Sequence, residues 1–306
     1  MPIRLKYIGF NQGNPDFPKT NIITRFFIEN DIIVNDIQDA NVLLIGDFVN
    51  GTDINTIKQF NGIKIQYIAE PILYLKYCVL SKILFIHNIC KYKLGCVSTK
   101  SKYIKYPLYL LNSEIYDRNT FITVNNYVKT CDIHNKRFCI LINRHDWGNT
   151  RVQICEKISN FDKVDCPGKL LNNCSNEELN KVGIPTYVKQ YKFIICSENF
   201  TNNQHGYITE KLMNACLSGA IPIYYGEPDI EDLKVFNFNR ILLLNSKNIN
   251  DIATRVGELY SNPDLLEEFY RQPVFCDTAF ETISNMFSNI NTFFHNLRNE
   301  LQTNEN

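Results

Sequence analysis

The sequence predicts an α/β protein built as two Rossmann-like domains in series. Three observations carry that expectation. Short apolar runs alternate with helical patterns, which implies parallel sheets flanked by helices. The alternation occurs twice, on either side of a polar stretch at residues 131–137. The chain has 306 residues, 44% of them hydrophobic, which is long for one core and suits two of about 100–200 residues each.

In the first run, residues 3–10, 32–34, 41–48 and 64–69 read as strands, and 21–30 and 53–60 as helices. Residues 103–111 are expected to be extended around Pro107, and 119–130 helical. The second run places strands at 138–143, 164–166, 191–196, 221–225 and 240–244. Its helices are expected at 150–161, 208–218 and 249–259. Near the end, Met286, Ile290, Phe293, Phe294, Leu297 and Leu301 recur at spacings of three and four. That puts one apolar stripe on a helix, which packs on its own molecule. The expected domains are 1–131 and 137–285, followed by a C-terminal helix and tail at 286–306.

Composition excludes several function classes. Lys+Arg and Asp+Glu both total 32, and there is no basic run, so a nucleic-acid partner is not expected. The eleven cysteines are an odd number and form no C-x-x-C. Reduced thiols, and with them a cytoplasmic location, are the expectation. Met1-Pro2-Ile3-Arg4 does not open a signal peptide. Lys76 and Lys82 interrupt the most apolar long stretch, 72–90, so no membrane span is expected. Neither G-x-G-x-x-G nor a P-loop occurs, which leaves hydride transfer and P-loop chemistry without their main signal. There is no D-x-D, and His87, His134, His145 and His295 form no H-x-x-x-H pair. No metal is expected.

The segment 191–232 carries the chemistry. A buried strand runs into a polar loop, 197–206, and then a helix opens near Tyr207 and Ile208. Ligands of open α/β sheets bind beyond the C-terminal ends of strands. A helix N-terminus there offers free N–H groups and partial positive charge to a phosphate. Lys211 adds a full charge in the first turn, where the helix dipole disfavours it unless an anion binds. Glu210 is placed to accept from ribose hydroxyls. The plainer alternative is that Glu210 and Lys211 form a solvated helix start.

These residues strongly resemble the α-1,3/4-fucosyltransferases of glycosyltransferase family 10. The matching elements, in order, are Tyr191-Lys192-Phe193, Glu198-Asn199, Gly206-Tyr207-Ile208-Thr209-Glu210-Lys211 and Ile221-Pro222-Ile223-Tyr224-Tyr225-Gly226. Weaker matches are Ile142-Asn143 with a following arginine, Val164-Asp165-Cys166-Pro167-Gly168, Tyr67-Ile68-Ala69-Glu70 and Tyr106-Pro107-Leu108-Tyr109. The resemblance implies a GT-B architecture, two Rossmann-like domains facing across a cleft. It also implies a GDP-fucose donor, a glycan acceptor such as N-acetylglucosamine in α-1,3 linkage, and inversion at the anomeric carbon without cofactor or metal. Carried onto this chain, Glu70 is the general base. Arg151, Glu198, Asn199, Tyr207, Thr209, Glu210 and Lys211 bind the donor. Arg144 is the alternative to Arg151 for the pyrophosphate. Ala69 stands where the family has glycine, and Pro71 follows the glutamate. Competing readings are a GT-B transferase using another nucleotide sugar, and a non-catalytic glycan-binding protein of the same fold. Acceptor identity, linkage and oligomeric state are not set by the sequence.

Overall fold

The computed structural model describes residues 1–10, 23–69, 85–96, 103–111, 117–146, 148–199 and 206–303. The chain divides into two compact units: Met1–Ser113 with Ile283–Asn306, and Glu114–Thr282.

The first unit holds a six-stranded sheet. Its strands are β1 (Arg4–Ile8), β2 (Ile32–Ile33), β3 (Val42–Ile45), β4 (Ile63–Ile68), β5 (Tyr92–Gly95) and β6 (Tyr103–Lys105). They lie in the order β2-β1-β3-β4-β5-β6, and every pair is parallel. All four residues of β3 are buried, as expected where helices cover both faces of a parallel sheet. Helix α1 (Gly51–Gln59) starts from a capping box: the Asn50 side chain accepts from the Asp53 amide, and the Asp53 carboxylate accepts from the Asn50 amide.

The second unit opens with α2 (Arg118–Thr130). It continues with β7 (Arg137–Leu141), α3 (Thr150–Ile158), β8 (Val164–Asp165), α4 (Glu177–Val182), α5 (Ile184–Val188) and β9 (Tyr191–Ser197). Then come α6 (Glu210–Ser218), β10 (Ile221–Tyr225), β11 (Leu242–Leu244), α7 (Ile249–Ser261) and α8 (Pro263–Tyr270). The sheet order is β11-β10-β9-β7-β8, again parallel throughout. Central β9 is buried along all seven residues.

Several elements differ from the sequence reading. Among the described residues of 21–30 there is only a 3₁₀ turn, Thr24–Phe26. Asp31 supplies the reason: its carboxylate accepts from the amides of Ile28 (3.0 Å) and Ile3 (2.7 Å), offering the backbone an alternative to a helical ladder. Around Pro107 the chain forms a 3₁₀ turn, Leu108–Leu110, instead of continuing extended. Strand β11 begins at Leu242 because Arg240 closes another 3₁₀ turn. Helices α4, α5 and α8 have no counterpart in the sequence reading.

The unit boundary also differs from the expected 131–137. Helix α2 belongs to the second unit. There, Asn125 accepts from the amides of Val274 (2.8 Å) and Phe275 (3.0 Å) and donates to the Phe275 carbonyl (3.0 Å). Phe121 packs edge-on against Phe275, 4.8 Å between centroids. The last helix, α9 (Ala279–Thr303), buries all six residues of the expected stripe. From Ile283 onward it belongs to the first unit. Arg298 on α9 pairs with Asp31 and donates to the Phe26 carbonyl at 2.7 Å.

Candidate functional site

At the C-terminal edge of the second sheet, β9 delivers Ser197, Glu198 and Asn199. The Glu198 amide donates to the Tyr225 carbonyl at the end of β10 (2.8 Å), which fixes the backbone. The residue is only 2% exposed. Its carboxylate accepts from the Thr209 amide (2.8 Å), the Thr209 hydroxyl (2.7 Å), the Tyr224 hydroxyl (3.1 Å) and the Lys211 ammonium (3.4 Å). A buried carboxylate is tolerable only with such a complement of donors. Burial first, then the Glu198 charge, raises the Tyr224 phenol well above its ordinary pKa, so it stays a donor.

The route from loop to helix explains why these donors converge. Gly206 sits at φ +87°, a conformation that glycine adopts without strain, and its amide donates to the Glu227 carbonyl (2.7 Å). Thr209 is extended and caps α6, its hydroxyl accepting from the Lys211 amide. The helix therefore starts two residues later than the sequence suggested, and Glu210 and Lys211 occupy its first turn. Lys211 donates to the Thr209 hydroxyl at 2.9 Å and lies 3.4 Å from both Glu210 and Glu198. A cation is disfavoured at this end of a helix; Glu198 is the protein's own anion that relieves the conflict. Burial works against the ammonium, but Glu198 and then Glu210 outweigh it, so the Lys211 pKa stands above its ordinary value. The Lys211 side chain remains 24% exposed.

Arg151 approaches the same strand end from α3. Asp146 accepts from the Val152 amide (2.8 Å) at the start of that helix. The Arg151 guanidinium donates to the carbonyls of His145 and Ser197 (2.6 Å to the latter) and to the Asn199 side chain (3.1 Å). Its Nε is buried with no partner. Burial lowers its pKa, with Asp146 and Glu198 pulling the other way. Arg144, by contrast, is exposed and makes no side-chain bond among the described residues.

A cavity of about 100 Å³ lies alongside, lined by residues that include Ile142, Asn143, Ile184, Glu210, Lys211 and Asn214. The turn at Gly168 packs directly on its wall: a Cβ there would come within 2.3 Å of the Asn143 carbonyl. Only glycine permits that approach.

Six of the eight expected site residues thus meet at one place: Arg151, Glu198, Asn199, Thr209, Glu210 and Lys211. Glu198, Asn199 and Thr209 are bonded to protein groups, so in this structure they hold the cations in position. Tyr207, 2% exposed, is buried beside them. Glu70 lies outside the described residues, as do Trp147 and His205. The residue before Glu70, Ala69, donates its amide to Asp47 at 2.8 Å. Among the described residues, no group of three or more His, Cys, Asp or Glu could hold a metal ion. Sequence reasoning missed Tyr224, Asp146 and Asn214. An aspartate just before an expected helix was a legible capping signal for Asp146. Tyr224 stood in the matched 221–226 element without a role assigned to it, and nothing local marked Asn214.

Comparison with known proteins bears on this arrangement. Residues 131–296 match the family described as glycosyltransferase family 10 (fucosyltransferase), C-terminal part. The chain is 29% identical over 123 residues to GDP-fucose protein O-fucosyltransferase 3 of Xenopus laevis, covering 37% of this chain and 25% of that protein. It is 28% identical over 121 residues to the alpha-(1,3)-fucosyltransferase FucT of Helicobacter pylori, covering 39% and 24%. Across the first relatives compared, it spans between 21% and 32% of their length. A crystal structure of alpha1,3-fucosyltransferase, and one with GDP-fucose, share the fold at TM-scores of 0.68 and 0.63, with 16% and 17% identity. Each match covers 95% of this chain and 90% of the other. No helix among the described residues is long and apolar enough to cross a membrane.

Proposed function

This chain belongs to glycosyltransferase family 10, the fucosyltransferase family, and on that premise we propose that it transfers L-fucose from GDP-fucose to a hydroxyl of a glycan or glycoprotein. The observation that carries the reading is the Lys211 ammonium. It is part-exposed at a helix N-terminus, beyond the C-terminal end of the central strand, with a cavity beside it. That combination suits a nucleoside diphosphate.

In this reading the diphosphate docks at the first turn of α6. Lys211 meets it as a point charge, and the free α6 amides add their partial charge. Arg144 reaches it from the end of β7. Arg151, buried beside the site, holds Ser197 and Asn199 in place and lends its positive charge from behind. Glu210 takes the ribose hydroxyls. As the sugar–phosphate bond lengthens, negative charge grows on the diphosphate, and preorganised cations favour that state over the ground state. Glu70 is the general base that removes the acceptor proton, and attack opposite the leaving group inverts the anomeric carbon. These groups can supply the leaving-group stabilisation that a divalent ion would otherwise give.

GDP-fucose incubated with the protein and a glycan panel, with products weighed by mass spectrometry, is expected to give a deoxyhexose adduct of one acceptor class. A transfer from UDP-sugars or GDP-mannose with none from GDP-fucose would replace the donor assignment. Glu70→Gln is expected to lower turnover by about a thousandfold with GDP affinity unchanged. Substantial transfer by that variant would remove Glu70 as the base.

A further inference from the structure

Asn214 is on α6, one turn beyond Glu210 and on the same face. It is 8% exposed, yet its amide has no hydrogen-bond partner among the described residues. It lines the cavity whose other walls include Ile142, Ile184 and Ile194. The amide is not sealed from solvent, so it opens on the cavity, where water or a ligand can meet it. Leucine has nearly the same shape and would suit these isoleucine neighbours. The site thus retains a polar group that nothing in the protein requires.

We propose that Asn214 is a specificity-determining residue that hydrogen-bonds the nucleobase of the donor. The proposal rests on the nucleotide reading above. Spacing supports it: Glu210 sits at the solvent edge for ribose hydroxyls, and Asn214 lies about 6 Å further along the helix, between apolar walls suited to a flat ring. A carboxamide presents a donor and an acceptor side by side. Guanine presents the complement, a C6 carbonyl beside N1–H. The amide also fits uracil or adenine, so it reads an edge without by itself selecting guanine. Replacing it by a carboxylate removes the donor. The two carboxylate oxygens would still meet the paired N1–H and N2–H donors of guanine, while uracil offers one donor and adenine sets an acceptor against the charge.

The test measures affinity for GDP, UDP and ADP by calorimetry, together with thermal stability, in the full chain. Asn214→Leu is expected to bind GDP about tenfold more weakly while its Tm is unchanged or higher. Asn214→Asp is expected to shift preference toward GDP over UDP and ADP. GDP affinity unchanged in Asn214→Leu would overturn the proposal and leave the donor reading standing. Loss of affinity together with a lower Tm would also overturn it, by making the amide structural. A wild-type chain that binds UDP better than GDP, with the same dependence on Asn214, would overturn the GDP assignment alone. Binding of none of the three would overturn both.

Discussion

The two edges of the second sheet each hold a buried arginine, and they use it differently. At the edge where β10 begins, Arg240 donates to the carbonyls of Tyr270 (2.9 Å), Ala220 (3.0 Å) and Gly219 (2.6 Å). Its guanidinium also covers the Tyr270 ring at 4.8 Å. Nε and both terminal nitrogens are engaged. At the edge where β9 ends, Arg151 leaves its Nε without a partner, and Lys211 stays partly in solvent. Burial depresses both arginines: Arg240 falls to about 10, and Arg151 is lowered with Asp146 and Glu198 opposing. Saturation marks a cation that serves the fold. Under the proposed function, Lys211, partly in solvent beside the cavity, is the cation kept available for an anion from outside.

The contrast breaks or sharpens under substitution. The largest effect is expected from Lys211→Met. GDP affinity and turnover should fall together by about a hundredfold, with little change in Tm. Calorimetry and initial rates check this, and a stable variant with undiminished GDP affinity would erase the distinction between the two edges. Next comes Arg240→Met, which leaves three carbonyls short of donors. It should cost about 3 kcal/mol of stability in urea denaturation and leave GDP affinity of the folded protein intact. Arg151→Lys keeps the charge but cannot grip Ser197 and Asn199 together; kcat/KM should drop about tenfold.

The smallest effect is one of pH. Because the folded pKa of Lys211 is raised, the stability from its contact with Glu198 is present below the ordinary lysine pKa. It is lost as pH rises through the folded value. Glu198→Gln removes the main raising charge, so the Lys211 ¹³Cε titration should move to lower pH. The resonance is identified by its absence in Lys211→Met. No movement would mean that Glu198 does not act on Lys211.

Much of this contrast was legible in the sequence, but unevenly. The buried runs at β3, β7, β9 and β10 announced two parallel sheets, because continuous apolar stretches have few other uses in a chain that alternates with helices. The Gly206–Lys211 stretch announced a loop entering a helix beyond a strand. The state of each cation was not legible. That Arg151 is buried and Arg144 exposed depends on how α3 is capped by Asp146. That Glu198 holds Lys211 depends on Tyr224 arriving from a separate strand. The helix expected at 21–30 failed for a similar reason, since Asp31 captures two backbone amides and is itself held by Arg298, far along the chain. Local patterns record propensity, while these outcomes are decided by partners brought in from elsewhere.

The return of α9 to the first unit has a practical corollary. The family match ends at residue 296, two positions short of Arg298. A fragment trimmed to that limit would strip Asp31 of its guanidinium and the Phe26 carbonyl of its donor. It would also cut away Leu297 and Leu301, both buried in the intact chain. Design of a shorter protein for crystallography or assay should therefore respect the last turns of the helix. They are mortar for the opening strands, not a trailing appendage of the matched half.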